Sequence, residues 1–374
     1  MIESMVEVQD SPLQTIQGLL RRLLTGGTVD ALLVPVTLPG GGVAPMLVTD
    51  PDALERADPL APVLPINAAR AASQLTMTGH QERLGVVLRA CEIRALVELV
   101  KFQQVKLDNV VVIGIDCLGT YPVTDYQARE DRSQLAEGLR AGAVSGDLQP
   151  ASGLTWRAAC QMCEQPLPDG EHVALAMGLV GVETGQIYLR ARSDVAEALD
   201  LREAEALAER EAAVAALIAA RTEARDEALA GFRARVHSME GLLAEFSSCI
   251  RCHNCMINCP ICYCRECIFR TPTFEHESEL YYQWAARKGT VRLMPDTLLF
   301  HVTRLNHMVT SCVGCGLCSD VCPVEIPVAT VFRAVGEKAQ ALFDYHPGRS
   351  VEEAAPVQEF REEELTALGT KPSS

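Results

Sequence analysis

CIRCHNCMINCPICYCREC, residues 249–267, places seven cysteines in nineteen positions. Its first part has the spacing Cys249, Cys252, Cys255, Cys259-Pro260, which returns as Cys312, Cys315, Cys318, Cys322-Pro323 in CVGCGLCSDVCP. This doubled C-x2-C-x2-C-x3-C-P run is the bacterial ferredoxin pattern, in which three thiolates wrap one cubane and the fourth, ahead of proline, reaches the other. Short loops turn backbone N–H groups toward the cluster sulfurs, and the proline steers the chain away. The expected sets are therefore Cys249, Cys252, Cys255 with Cys322, and Cys312, Cys315, Cys318 with Cys259, holding two [4Fe-4S] clusters. Four-cysteine zinc sites more often use two CxxC pairs than a triple run. The 269–311 linker is far longer than in a small ferredoxin and reads as an inserted helical pair that covers a cluster or docks a partner.

Working outward, two further cysteines end apolar runs. RLGVVLRAC (83–91) and NVVVIGIDC (109–117) read as buried strands ending in Cys91 and Cys117, joined by the helix EIRALVELVKFQQVKL. A β-α-β succession implies a parallel sheet, with ligands favoured at the carboxyl ends of its strands. Cys160 and Cys163 in WRAACQMCEQP complete a four-ligand set, so a third [4Fe-4S] cluster is expected at the top of the sheet. Zinc, or unligated buried thiols, are the alternatives. Cys262, Cys264 and Cys267 remain. With an outside ligand such as a histidine they hold zinc or another cluster; otherwise they pack against the neighbouring cubane or substitute for an assigned ligand. His253, His301 and His307 flank the motifs and read as hydrogen-bonding or surface residues, because each cluster already has four thiolates.

The 374 residues, 48% hydrophobic, suffice for two or three domains. The first fifteen to twenty-five residues read as a helix, and residues 28–50 as a hairpin around Gly40, Gly41 and Gly42. INAARAASQLT reads as a helix, and there is no GxGxxG fingerprint. The Ala/Glu/Arg-rich stretch 195–245 reads as one or two long helices forming an intramolecular arm. From Gly336 the chain turns acidic, suggesting a helix that packs or binds a partner, then a frayed end. The expected organisation is an α/β domain (1–190), a helical arm (191–245), a ferredoxin-like α+β domain with two clusters (246–335) and a tail (336–374).

A formal charge of −16 argues against a nucleic-acid or acidic-membrane partner. No apolar run approaches the ~18 residues of a membrane span. Fifteen cysteines at short spacings, without a signal peptide, point to metal ligation in a reducing, cytoplasmic compartment. No Ser-His-Asp set, HExxH or P-loop supports a hydrolase or NTPase.

Four segments in order carry a resemblance: residues 86–122, RAACQMCEQP followed by MGLVG, CIRCHNCMINCPICYCREC, and residues 300–328. Together they resemble the coenzyme F420 hydrogenase/dehydrogenase beta-subunit family, and within it the formate dehydrogenase branch. The resemblance implies a flavin-binding α/β domain with FAD and a cluster near it, the latter at Cys91, Cys117, Cys160 and Cys163. It further implies an oxidoreductase subunit that moves electrons between coenzyme F420 and a formate dehydrogenase or hydrogenase catalytic subunit. For flavin phosphates or a polyanionic coenzyme tail the candidates are Arg89, Arg94 and Lys101, with Asn67, Ser73 and Thr76 as polar donors upstream. Relatives that reduce F420 often carry a Gly-Ser/Thr-Lys-Tyr element where this chain reads LPINAARAASQLT, so a nicotinamide or a partner's flavin stands as an alternative hydride carrier. The rival function is a flavin-free adaptor between a dehydrogenase and a heterodisulfide-reductase-like complex.

Overall fold

LGVVLR and VVVIGI become neighbouring parallel strands because both of their faces are covered, the setting in which near-continuous apolar runs are stable. The computed structural model describes residues 1–77, 81–204 and 208–359. Its strands are β1 (Ile2–Glu7), β2 (Ala31–Thr37), β3 (Val43–Val48), β4 (Leu84–Arg89), β5 (Val110–Ile115), β6 (Val173–Gly178) and β7 (Gln186–Ala191). They form one sheet in the order β1-β7-β6-β5-β4-β2-β3. The central β2-β4, β4-β5 and β5-β6 pairs are parallel. Both margins are antiparallel, through the expected β2-β3 hairpin and the β6-β7 and β7-β1 pairs.

The N-terminal helix reading needs correction. Residues Ile2–Glu7 are an edge strand that pairs with β7, as in Ile2 with Ala191. That partner lies far along the chain, so the pairing leaves no local signature. The helix starts only at Pro12, where Ser11 caps it by accepting from Gln14 N.

Fourteen α-helices are described: α1 (Pro12–Thr25), α2 (Ala68–Thr76), α3 (Ala90–Lys101), α4 (Val123–Ala128), α5 (Arg132–Ala143), α6 (Ala158–Gln161), α7 (Ser193–Ala198), α8 (Ala208–Arg235), α9 (Met239–Glu245), α10 (Asn254–Ile257), α11 (Ser278–Lys288), α12 (Thr297–Met308), α13 (Leu317–Asp320) and α14 (Val328–Leu342). Alternation along the strands sends Leu32, Val34, Val87 and Ile113 to one face, where they meet Ile16, Leu20 and Leu23 of α1. Leu33, Val86, Leu88 and Val112 point the other way, onto α2 and α3. That second core runs on through Met308, Val313, Ile326 and Phe332 of the cysteine-rich region. The α/β sheet and the C-terminal module are thus packed together through one apolar layer.

The chain beyond α14 is tied to α3. The Tyr345 hydroxyl donates to Glu98 Oε1 at 2.6 Å, Gly348 N donates to the same oxygen at 2.8 Å, and Lys101 Nζ donates to the Tyr345 oxygen at 2.8 Å. Glu98 and Lys101 are both buried, and each is satisfied by these partners. The tail expected from 336 onward is in part this strap, and residues 360–374 lie outside the described residues. Among the described residues no helix is long and apolar enough to cross a membrane.

Candidate metal centres

The carboxyl ends of β4 and β5 bring the first thiols together. Strand β4 stops at Arg89, and Glu92 accepts from Arg89 N at 3.0 Å and from Ala68 N at 2.8 Å. This box starts α3 one residue before Cys91, so Cys91 sits on the first helical turn rather than at the strand's end. Cys117 follows β5, and its N–H donates to Pro166 O at 2.9 Å, folding the 157–166 segment over the strand end. Cys91, Cys117, Cys160 and Cys163 then line a single cavity. Arg89, Arg157 and Arg221, all buried, line it too, together with Cys315 of the C-terminal module.

Burial pushes the Cys91 thiol well up, and lifts Cys117 to about 11 with the neighbouring Cys160 adding to it. Without a metal these sulfurs are held as neutral thiols, so loading a cluster releases protons. Four thiols around one space, with three cations set into its walls, suit a group whose net charge is negative once the thiolates bind it. A [4Fe-4S] core with four thiolates is such a group.

Cys259, Cys312, Cys315 and Cys318 line a second cavity, with Arg304 and Phe332 in its wall. The crossing of Cys259 to the other motif follows the spacing rule. Cys322 lies close enough to raise both the Cys249 and Cys255 thiols, as does the nearby Cys252. N–H donors point at these sulfurs. Arg251 N lies 3.4 Å from Cys249 Sγ, Ile326 N 3.4 Å from Cys322 Sγ, and Arg304 Nη1 3.2 Å from Cys255 Sγ. His301 Nε2 is 3.2 Å from Cys249 Sγ. Burial, reinforced by Arg304, drops the His301 pKa to about 3. Its imidazole is therefore neutral, and a proton on Nε2 makes it a donor to sulfur, leaving Nδ1 without a partner. His253 lies against Phe300, its ring tilted 31° to it, and His307 is exposed.

The last three cysteines divide. Cys262 and Cys267 pack on the apolar cluster of Cys255, Met256, Phe269 and Phe300, and Cys267 Sγ is 3.7 Å from Met256 Sδ. Burial, with Cys259 beside it, pushes Cys262 up to about 12. Cys264 is at the surface. Among the described residues, no three His, Cys, Asp or Glu side chains are grouped as single-ion ligands.

The six residues read as cofactor donors do not converge. Asn67 caps α2 by accepting from Ala69 N, the Ser73 hydroxyl donates to Gln104 O at 2.7 Å, and Thr76 is buried behind it. Lys101 is held in the Glu98–Tyr345 network. Arg89 donates to the Val63 and Ala61 carbonyls at the edge of the sheet-end cavity. Arg94 alone faces an open cleft of about 380 Å³, shared with Glu164, Gln165 and His346. A second cleft, of about 440 Å³, is bounded by Trp156, Cys160, Ala220 and Arg221. Sequence reasoning missed Arg157, Arg221 and Arg304. Only Arg304 had a local signal, three residues from His301 on one face of α12.

Residues 245–326 match the family model of the 4Fe-4S dicluster domain. The chain is 27% identical over 380 residues to the F420-dependent formate dehydrogenase subunit beta of Methanocaldococcus jannaschii, covering 89% of this chain and 94% of that relative. It is 27% identical over 315 residues to the F420-dependent formate dehydrogenase 1 subunit beta of Methanococcus maripaludis, covering 73% of this chain and 74% of the relative. A chain of the F420-reducing [NiFe] hydrogenase complex from Methanosarcina barkeri aligns with a TM-score of 0.44 at 12% identity, covering 64% of this chain and 94% of that one. The chain joins a mixed-sheet α/β domain to a 4Fe-4S dicluster domain, and along most of its length it is similar to the beta subunits of F420-dependent formate dehydrogenase.

Proposed function

We propose that this chain is an iron-sulfur flavoprotein subunit that carries electrons between a hydride carrier, coenzyme F420, and the catalytic subunit of a formate dehydrogenase or hydrogenase. The observation that carries the reading is the serial arrangement of the thiol sets. Cys315 belongs to the second ferredoxin set and also lines the sheet-end cavity, while Cys259 links the second set to the first motif. Three centres in a row make a one-electron path from the α/β domain to the far end of the module, where Cys252 is exposed.

FAD would supply the conversion of a two-electron hydride into single electrons. The cleft bounded by Trp156, Ala220 and Arg221 reaches the Cys160 thiol beside the sheet-end set and exposes the Trp156 ring in its wall. Trp156 is braced there by stacking on Tyr121, with ring centroids 4.7 Å apart. The flavin-free adaptor reading keeps one observation in its favour: Asn67, Ser73 and Lys101 are already engaged in holding the fold.

Anaerobic purification of the chain with its bound partners, followed by iron, sulfide and flavin analysis, tests both readings. The first expects about twelve irons per chain from three cubanes, one flavin, and F420 oxidoreductase activity. Full iron content without flavin or F420 activity, even after FAD is added, leaves the adaptor. About eight irons would remove the sheet-end cluster from both.

A further inference from the structure

Arg157 spans the two neighbouring thiol sets. Its side chain is 2% exposed. Nη1 donates to Thr120 Oγ1 at 3.1 Å, and that oxygen lies 3.1 Å from Cys160 Sγ of the sheet-end set. Nη2 donates to the carbonyl of Cys315 at 2.8 Å, in the second ferredoxin set. The guanidinium also pairs with Asp320, on α13 between Cys318 and Cys322. Arg89 and Arg221 line the same cavity, but their bonds go to carbonyls of Ala61, Val63, Cys117 and Leu118 within the α/β domain. Arg157 therefore joins the domains where the others brace only one of them.

A buried cation stabilises whichever state of a nearby group is more negative, and does so strongly where water is excluded. The reduced form of a cluster carries the extra negative charge. The Thr120 hydroxyl, accepting from the guanidinium and facing Cys160, also draws electron density from that sulfur when it donates to it, and hydrogen bonds to sulfur are among the factors that set cluster potentials. Asp320 opposes both effects, because its carboxylate offsets the guanidinium charge.

We propose that Arg157 is a positioning residue that fixes the sheet-end centre against the Cys259/Cys312/Cys315/Cys318 centre and, through Thr120 and Cys160, raises the sheet-end potential, with Asp320 as the opposing charge. This rests on the reading that Cys91, Cys117, Cys160 and Cys163 hold a [4Fe-4S] cluster.

The test uses the full chain, reconstituted anaerobically with iron and sulfide, as wild type, Arg157→Gln, Arg157→Lys, Asp320→Asn and Cys91→Ser. Iron content is measured first, then an EPR-monitored redox titration, with the sheet-end signal assigned by its loss in Cys91→Ser. A wild type with about eight irons defeats the parent reading. With about twelve, the expected result is a downward shift of the sheet-end potential in Arg157→Gln, an upward shift in Asp320→Asn, and near-wild-type behaviour in Arg157→Lys. Unchanged potentials, or shifts of the same sign in Arg157→Gln and Asp320→Asn, overturn the inference while leaving the cluster in place. If Arg157→Gln fails to retain iron, Asp320→Asn decides: an upward shift supports the proposal and no shift sinks it.

Discussion

The loops Cys249–Cys255 and Cys312–Cys318 follow the same backbone path with different residues at its two sharpest points. In the first, Arg251 and His253 take positive φ of 54° and 62°; in the second, Gly314 and Gly316 take 68° and 79°. A left-handed L-residue costs about 1–2 kcal/mol, so the glycines are the unstrained solution and the arginine and histidine require a reason. Space supplies it. Around the first loop there is room for side chains, which Arg251 uses to pair with Asp296 and His253 to meet the Phe300 ring, tilted, at 4.8 Å. Around the second there is none: a Cβ on Gly316 would lie 2.3 Å from Ala159 Cβ, and one on Gly314 2.8 Å from Arg333 Nη1. One copy of the motif presents an accessible edge, while the other forms a wall of the sheet-end site.

The sharpest way to break that comparison is to put a side chain on the crowded loop. Gly316→Val combines a forbidden φ with a clash against α6, and should destabilise the chain by roughly 3 kcal/mol or more. Because α6 carries Cys160, iron loss should include the sheet-end set as well as the second ferredoxin set. Iron content and thermal unfolding of the anaerobic protein read this out. A variant that melts like wild type with full iron would show that the close contact between the two domains is dispensable.

The accessible edge gives the next largest effect. Cys252 is exposed, whereas the Cys315 and Cys318 thiols are pushed up by burial, to about 12 for Cys315. Under mild chelation or oxidation, the cluster on Cys249, Cys252, Cys255 and Cys322 should therefore be lost first, in a distinct phase of about four irons. Decay of both ferredoxin clusters with one rate constant would erase the distinction between an outer and an inner loop.

What the sequence revealed follows the same division between local and distant constraints. Ligand spacing is local, so the 4Fe-4S dicluster domain, and the meeting of Cys259 with Cys312, Cys315 and Cys318 at one cavity, could be anticipated from CxxCxxCxxxCP alone. The β4-α3-β5 succession and the β2-β3 hairpin were readable because their apolar runs and turn glycines are contiguous. Strand β1 was not, since Ile2 finds Ala191 only in the folded sheet. Arg157 and Arg221, beside the sheet-end thiols, were hidden for the same reason: Arg157 meets Cys315 across 158 residues. Lys101 shows the converse error. Beside a strand-helix junction it reads as a phosphate ligand, but Tyr345, 244 residues away, accepts a hydrogen bond from its ammonium.

The smallest effect tests whether His253 holds its strained φ for the sake of its ring. His253→Ala keeps the left-handed strain and loses the ring contact with Phe300, a loss of about 0.5–1.5 kcal/mol. His253→Gly loses the same contact and adds about 0.5–1 kcal/mol of backbone entropy cost, but relieves about 1–2 kcal/mol of strain. The terms for glycine nearly cancel, so its stability should stay close to wild type, while the alanine variant falls below it by about 1 kcal/mol. Denaturant midpoints measured anaerobically on cluster-loaded protein separate the two. If glycine instead proves less stable than alanine by about 0.5–1 kcal/mol, the φ at 253 carries no strain, and the difference between the outer and inner loops reduces to space alone.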